Sequence, residues 1–235
     1  MNELLLRKYF ICYIPGSMGS LLSVLMRSQI EKNFSFYFFK DDTAHSYIKN
    51  IFTNTHNYPD YLNFKKNNLT LDEHLIRNIK NNDSNFQTCD INWCEVFLKN
   101  KNLNCIICYI DDPTLKLEML YSKLKDNVLS NVDNHKMNFN INKTHKNYEN
   151  IIFIKTITWW MNQEVKYMKE FPSINMLPII QKKDYSQLEK LCTLTNTAML
   201  DTIINDYNSR QNINLNKFTE FPKFIKKYLK IHHNV

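Results

Sequence analysis

The amino-acid sequence predicts an α/β fold in which a parallel β-sheet is flanked by helices. Apolar runs of strand length alternate along the chain with stretches of helical periodicity, which is the pattern of βαβ units. The run 103–110, Leu-Asn-Cys-Ile-Ile-Cys-Tyr-Ile, is nearly continuous in apolar character, as buried parallel strands are. We therefore expect this run at the centre of the sheet.

The first predicted unit is a strand at 8–14, a turn, and a helix that runs to about Glu31. Gly16 and Gly19, the only two glycines of the chain, both lie in this turn. Apolar residues recur at helical spacing directly after it. Beyond this unit, five aromatic residues among the six of 34–39 favour a second strand.

The remaining elements follow from periodicity and from helix start and stop signals. In order they are a helix within 41–57, a helix that starts at Thr70 with Glu73 completing a capping box, a short strand at 86–89, a helix at 91–98, the strand at 103–110, a helix at 115–124 that follows Pro113, a long loop or insertion at 127–150, a helix at 149–170, a last strand at 175–180, helices at 185–194 and 199–207, and a basic amphipathic helix at 217–231.

Composition favours one domain and a negatively charged ligand. The length of 235 residues and the hydrophobic content of 43% suffice for one sizeable core, and no shift in composition marks a linker, so we expect a single domain over 1–235. The formal charge of +7 fits a ligand that bears sulfate or phosphate. Nucleic acid fits the charge as well, but it is not the partner that we expect.

Nothing in the sequence predicts a membrane or secreted protein. No run approaches the roughly 20 apolar residues that span a bilayer, so no transmembrane segment is expected. The apolar run 4–6 is too short for a signal peptide, and Arg7 and Lys8 interrupt it. The six cysteines form no disulfide-type framework, which favours free thiols in a reducing, cytoplasmic compartment.

The turn between the first strand and the first helix is the leading candidate for a ligand site. Glycine permits positive φ and lets a ligand approach bare backbone, so such a turn can offer several N–H donors to a phosphate. The alternative is structural, because a strand-to-helix turn often needs a glycine for its geometry alone. The candidate ligand-binding residues are Pro15, Gly16, Ser17, Met18, Gly19 and Ser20. Arg27, on the following helix, either reaches a phosphate or faces water.

With these residues in place, the order of elements resembles the sulfotransferase family, in particular its short viral and marine microbial members. In that family a Pro-Lys/Arg-Ser-Gly-Thr/Ser-Thr/Ser loop wraps the 5′-phosphosulfate of the donor PAPS, and here Pro15, Ser17 and Ser20 stand at matching positions. An Arg-Asp-Pro type turn after a later strand binds the 3′-phosphate, and 110–113 is the matching place. The resemblance therefore implies a P-loop NTPase-like architecture, PAPS or its product PAP as cofactor, and Asp112 as a donor-binding residue.

The resemblance also implies an activity, the transfer of a sulfo group from PAPS to a hydroxyl of a carbohydrate or small molecule. Three positions depart from the family: Gly16 replaces the loop lysine or arginine, Cys89 replaces the catalytic histidine, and Asp111 replaces the arginine of the 3′-phosphate site. Asp90, next to Cys89, is the candidate replacement base. The alternative is a degenerate member that binds a phosphorylated ligand or a protein partner without turnover.

Two other patterns favour structural roles. Cys105 and Cys108 form a Cys-x-x-Cys, but residues three apart on a strand point to opposite faces, so these two thiols cannot share a metal ion. We expect buried core cysteines and no metal. The lysines of 217–231 either contact an acidic partner or form the solvated face of a docking helix.

Overall fold

The structure, a computed structural model, describes residues 9–14, 16–30, 86–100, 103–117 and 148–211. Pro15 and the elements predicted at 34–39, 41–57, Thr70 and 217–231 lie outside these residues. So does most of the loop predicted at 127–150, whose last three residues are already helical.

The centre of the described chain is a parallel four-stranded sheet in the order β2-β1-β3-β4. Its strands are β1 (Tyr9–Tyr13), β2 (Phe86–Asp90), β3 (Asn104–Tyr109) and β4 (Ser173–Asn175). The predicted α/β fold with a parallel sheet is therefore confirmed, and β3, from the apolar run 103–110, is one of its two inner strands. In the register of β1, Cys12 lies opposite Cys89, and Phe10 lies opposite Cys105.

Helices connect and flank these strands. They are α1 (Gly19–Ile30), a 3-10 turn (Ile91–Trp93) that leads into α2 (Cys94–Leu98), a helical turn at 113–117, α3 (Tyr148–Met168), α4 (Met176–Lys182), α5 (Ser186–Glu189) and α6 (Thr197–Gln211). No helix in the described part of the chain is long and apolar enough to cross a membrane.

Successive residues of β1 and β3 divide between two apolar layers, as the alternation of a pleated strand requires. Phe10, Cys12 and Cys105 pack on the side of α2 and α3. Ile11 and Cys108 pack on the opposite side, with α1, α4 and α6. The sheet is thus covered by helices on both faces, and Cys105 and Cys108 lie in different layers, as their spacing predicts.

The strand predicted at 175–180 is wrong, because only its first residue belongs to β4 and the rest forms α4. Asn175 ends the strand and caps the helix, since its side-chain oxygen accepts a hydrogen bond from the N–H of Leu177 at 3.1 Å. Pro178 fits the first helical turn, where its missing N–H is not needed. Met176, Ile179 and Ile180 are all buried, at helical rather than strand spacing.

Candidate functional site

The carboxyl ends of β1 and β3 form the place where a ligand is expected in this kind of sheet. Among the described strands the chain moves outward from β1 to β2 on one side and from β3 to β4 on the other. The order therefore reverses between β1 and β3, and open α/β sheets bind ligands beyond the strand ends at such a switch point. The glycine turn follows β1 directly, so the structure places it at this position.

The turn itself has a defined backbone conformation. Gly16 has φ of 90° and Met18 has φ of 61°, a value that non-glycine residues adopt at some cost in energy. The N–H of Ser17 donates to the carbonyl of Ile14 at 3.1 Å, and the N–H of Leu22 donates to the carbonyl of Met18 at 3.0 Å. These bonds close the turn and start α1 at Gly19.

Gly19 is explained by packing against Tyr13. A Cβ atom at position 19 would lie 2.1 Å from Cδ1 of the Tyr13 ring, a distance that no real contact tolerates. The hydroxyl groups of Tyr13 and Ser20 are 3.1 Å apart and hydrogen-bonded. Packing against Tyr13 therefore accounts for the glycine at position 19, whereas Gly16 provides the positive φ that the turn requires.

Ser17 lies in a buried cluster with Lys116 and Glu164, which we call the loop cluster. The Ser17 hydroxyl donates to Oε1 of Glu164 at 3.3 Å, and the Lys116 ammonium pairs with Oε2 of the same carboxylate. Ser17 and Glu164 are fully buried, and Lys116 is 11% exposed. Three elements distant in sequence thus bring a hydroxyl, a cation and a carboxylate together at the switch point.

The electrostatics of the loop cluster make Glu164 a candidate acid or base. Burial raises the pKa of the Glu164 carboxyl, and this effect outweighs the opposing effects of Lys116 and Ser17. A buried carboxyl with a raised pKa beside a cation at a strand-end site is a combination found at catalytic positions. The cluster thus holds a carboxyl that can exchange a proton, together with a cation that is paired with it.

The end of β3 is attached to the turn. The Cys108 thiol donates to the carbonyl of Ser17 at 2.9 Å, and its pKa is raised by burial and by the nearby Glu164. Asp112 accepts a hydrogen bond from the N–H of Leu115 at 2.9 Å, so it caps the helical turn at 113–117. The contact that the structure gives the Asp112 side chain is thus a helix cap.

The other residues predicted for the site are spread over the sheet. Asp90 is the last residue of β2, opposite Tyr13, at the same edge as the turn. Cys89 is fully buried in the layer of α2 and α3. Arg27 lies in the last turn of α1, about 12 Å along the helix axis from Gly19 at 1.5 Å per residue. The structure thus brings Ser17 to the loop cluster and leaves Arg27 at the opposite end of the helix.

Lys116 and Glu164 are site residues that sequence analysis missed. Glu164 continues the buried stripe of Ile157, Trp160 and Tyr167 on α3, at spacings of three and four residues. A carboxylate on an apolar stripe is a detectable signal, because an acidic side chain is almost never fully buried unless it is paired. Lys116 carries no such signal, since a lysine between two leucines is ordinary on a half-buried helix.

A second group of polar side chains, which we call the thiol cluster, lies in the layer of α2 and α3. It consists of Cys12, Cys89, Cys94 and Cys105. The sulfur atoms of Cys12, Cys94 and Cys105 all lie within 4.8 Å of one another, and those of Cys12 and Cys105 are 3.7 Å apart. All six cysteines of the chain are free thiols.

The thiols of this cluster differ in acidity. Burial, together with hydrogen bonds to its neighbours, raises the pKa of Cys12, and burial also raises the pKa of Cys94. Burial acts in the same direction on Cys105, but hydrogen bonds with Cys12 and Cys94 stabilise its thiolate and lower its pKa to about 6. Of Cys12, Cys94 and Cys105, Cys105 is therefore the one whose pKa is lowered.

A cleft of about 490 Å³ opens at the other edge of the sheet, at the amino ends of β1 and β3. Tyr9, Asn104, Cys105, Phe171 and Leu191 are among its lining residues. The cleft does not include the loop cluster, so the cleft and the buried charged groups lie at different edges of the sheet. We base the functional site on the loop cluster, because its charged groups are buried and mutually positioned.

Comparison of the chain with protein-family models, with curated proteins and with solved structures finds no match.

Proposed function

We propose that the protein is a sulfotransferase-like enzyme that binds PAPS at the turn 15–20 and transfers its sulfo group to a hydroxyl of a carbohydrate or small molecule. The observation that carries the proposal is the position of Lys116, paired with Glu164 beside Ser17 at the switch point. The P-loop-like arrangement of strand, glycine turn and helix, with its resemblance to the sulfotransferase family, supports the choice of donor.

Lys116 is the proposed source of the cation that this activity requires and that the glycine turn lacks. Sulfuryl transfer, like phosphoryl transfer, requires backbone N–H groups and a cation to stabilise the negative charge that spreads over the transferred group and the leaving phosphate. Gly16 stands where the family has its loop cation. Lys116, which comes from the segment after β3 and is only 11% exposed, supplies a cation from elsewhere in the chain.

Glu164 is the proposed base, in preference to Asp90 or Cys89. In the proposed reaction the acceptor hydroxyl gives its proton to the Glu164 carboxylate, and the acceptor oxygen forms a bond to sulfur. The bond between sulfur and the phosphate oxygen breaks, and PAP leaves with that electron pair. The raised pKa of Glu164 suits this role, because a base works best when its pKa is close to the working pH.

One observation favours a second function, the binding of a phosphorylated ligand without turnover. The hydroxyl groups of Ser17 and Ser20 are hydrogen-bonded to Glu164 and Tyr13, and Lys116 is paired. A carboxylate of the chain therefore already occupies part of the space that a ligand anion would need. To bind at Ser17, a ligand has to displace Glu164 from its hydrogen bond with the Ser17 hydroxyl. In a protein without catalytic activity Glu164 is not needed as a base, so it can stay in this hydrogen bond.

Donor binding is tested by the melting temperature of the full chain with and without PAP. A ligand at about 100 times its dissociation constant stabilises the fold by about 2.7 kcal/mol, which raises the melting temperature of a chain of this size by about 5 to 10 °C. Ser17→Ala should lose the shift, whereas the matched control Ser209→Ala, at an exposed position on α6, should keep it. No shift in the folded wild-type protein would rule out a PAP site.

Turnover is tested separately by transfer of radiolabelled sulfate from PAPS to a panel of sugars and small alcohols. Glu164→Gln should keep the PAP shift and lose transfer by a factor of about 10² or more, the usual size of a general-base effect. A PAP shift without any transfer by the wild-type protein would support the non-catalytic function.

A further inference from the structure

We infer that the thiol cluster is a zinc site, in which Cys12, Cys94 and Cys105 bind the ion and Cys89 completes the ligand set. This site is separate from the loop cluster, and it does not depend on the function proposed above. Three of the six cysteines of the chain bring their sulfurs within 4.8 Å of one another, and a fourth, Cys89, lies in the same apolar layer.

The distances between the sulfur atoms fit a metal site. Zinc binds thiolate at about 2.3 Å, so two sulfurs of a tetrahedral site are about 3.8 Å apart. Cys12 and Cys105 have a separation of 3.7 Å, and all three sulfurs of the group lie within 4.8 Å of one another. One ion placed among them reaches all three ligands after movements of a few tenths of an ångström in the side chains.

The fold brings these ligands together from four separate elements. Cys12 lies on β1, Cys105 lies on β3, and Cys94 is the first residue of α2. Cys89 lies opposite Cys12 on β2, but its sulfur is not one of the three that lie within 4.8 Å of one another, so it has to move toward the ion to bind it. The cluster therefore links three neighbouring strands to a short helix, as a structural metal ion does in a small core.

The donor set selects the type of metal. All four ligands are sulfur, and neither a histidine nor a carboxylate belongs to the group found among the described residues. A tetrahedral set of thiolates is typical of zinc or iron–sulfur centres, and three sulfurs within 4.8 Å of one another suit a single zinc ion. With Cys89 as the fourth ligand no position stays open, so the ion would be structural.

The cleft at the amino ends of the strands borders the site. Cys105 lines this cleft, although it is only 3% exposed. Cys105 is therefore the ligand next to solvent-accessible space, and an ion enters the cluster when the side chains around it open.

The test is the metal content of the full chain, purified after expression with added zinc and measured by elemental mass spectrometry. We expect about one zinc per chain in the wild type, as a site with four ligands for one ion requires. Cys105→Ser and Cys94→Ser should lose most of the zinc. The control Cys192→Ser, at a half-buried position outside the cluster, should keep it. A second readout is cobalt substitution, which should produce the visible absorption of thiolate-bound cobalt in the wild type and in Cys192→Ser alone.

Two results would overturn the inference. One is a folded wild-type protein that contains no zinc and shows no thiolate-to-cobalt absorption. The other is zinc content that does not change in Cys94→Ser and Cys105→Ser. Both measurements on the wild-type chain remain decisive if the serine variants do not fold.

Discussion

The loop cluster and the thiol cluster place polar atoms in the core in two different ways. In the loop cluster, a buried carboxylate is matched by a lysine and a hydroxyl, and it lies at the end of the sheet, where Lys116 keeps 11% of its surface exposed. In the thiol cluster, weakly polar groups lie beneath α2 and α3 in an apolar layer. A charge is accommodated where partners converge at a strand end, whereas protonated thiols tolerate the interior because their burial costs little.

The largest change in stability is expected when the ion pair of the loop cluster is broken. Lys116→Met leaves the buried Glu164 carboxylate without its cation, which should lower the free energy of unfolding by about 3 to 5 kcal/mol at pH 7. The double variant Lys116→Met/Glu164→Leu should recover most of this loss, because no unpaired charge remains. Urea denaturation of both variants checks this, and equal stability of the two would contradict the buried ion pair.

The next effect tests the packing at the start of α1. Gly19→Ala places a Cβ atom 2.1 Å from the Tyr13 ring, so the ring or the helix must move. We expect a loss of about 1 to 3 kcal/mol, in the range of overpacked cores. Denaturation measures this loss for Gly19→Ala in the wild-type background and in the Tyr13→Leu background. If the clash with the ring is the cause, Gly19→Ala should cost less free energy in the Tyr13→Leu background than in the wild type.

A smaller, pH-dependent effect follows from the raised pKa of Glu164. The folded protein binds this proton more tightly than the unfolded chain does, since the carboxyl has an ordinary value of 4.5. The contribution of Glu164 to stability is therefore greatest below pH 4.5, falls as the pH rises from there to the raised folded pKa, and is constant above it. The difference in unfolding free energy between wild type and Glu164→Gln, measured against pH, should show this slope. A difference that does not vary with pH would mean that the pKa of Glu164 is unchanged by folding.

The smallest effect is expected at the cysteine outside both clusters. Cys192 is half-buried, and its thiol lies 3.7 Å from the carbonyl of Leu188, so Cys192→Ser should change stability by no more than about 0.5 kcal/mol. In the native protein a thiol reagent should modify Cys192 first, while the buried thiols react only when the chain opens. Mass spectrometry of the labelled peptides identifies the site, and rapid labelling of Cys12 or Cys94 would contradict the burial of the thiol cluster.

The first strand, turn and helix of this fold can be predicted from the sequence because their signals are local. The strand at 8–14, the glycine turn and the first helix follow one another directly, and the structure confirms them as β1 and α1. The segment 175–180 was assigned to the wrong class because a short apolar run suits a strand and a helix equally well. Asn175 caps a helix that begins at Met176, so the segment is helical. The sequence alone does not show this, because an asparagine can be recognised as a cap only when the backbone around it is known.

The sequence is sufficient to predict that alternating strands and helices form a parallel sheet and that the glycine turn follows its first strand. Which side chains meet at that turn depends on the tertiary structure, because Ser17, Lys116 and Glu164 are separated by 99 and 48 positions in the chain. The same holds for Cys12, Cys94 and Cys105, which become neighbours only when β1 pairs with β3. Periodicity and capping depend on neighbours within a few residues, whereas a site depends on strand order and register.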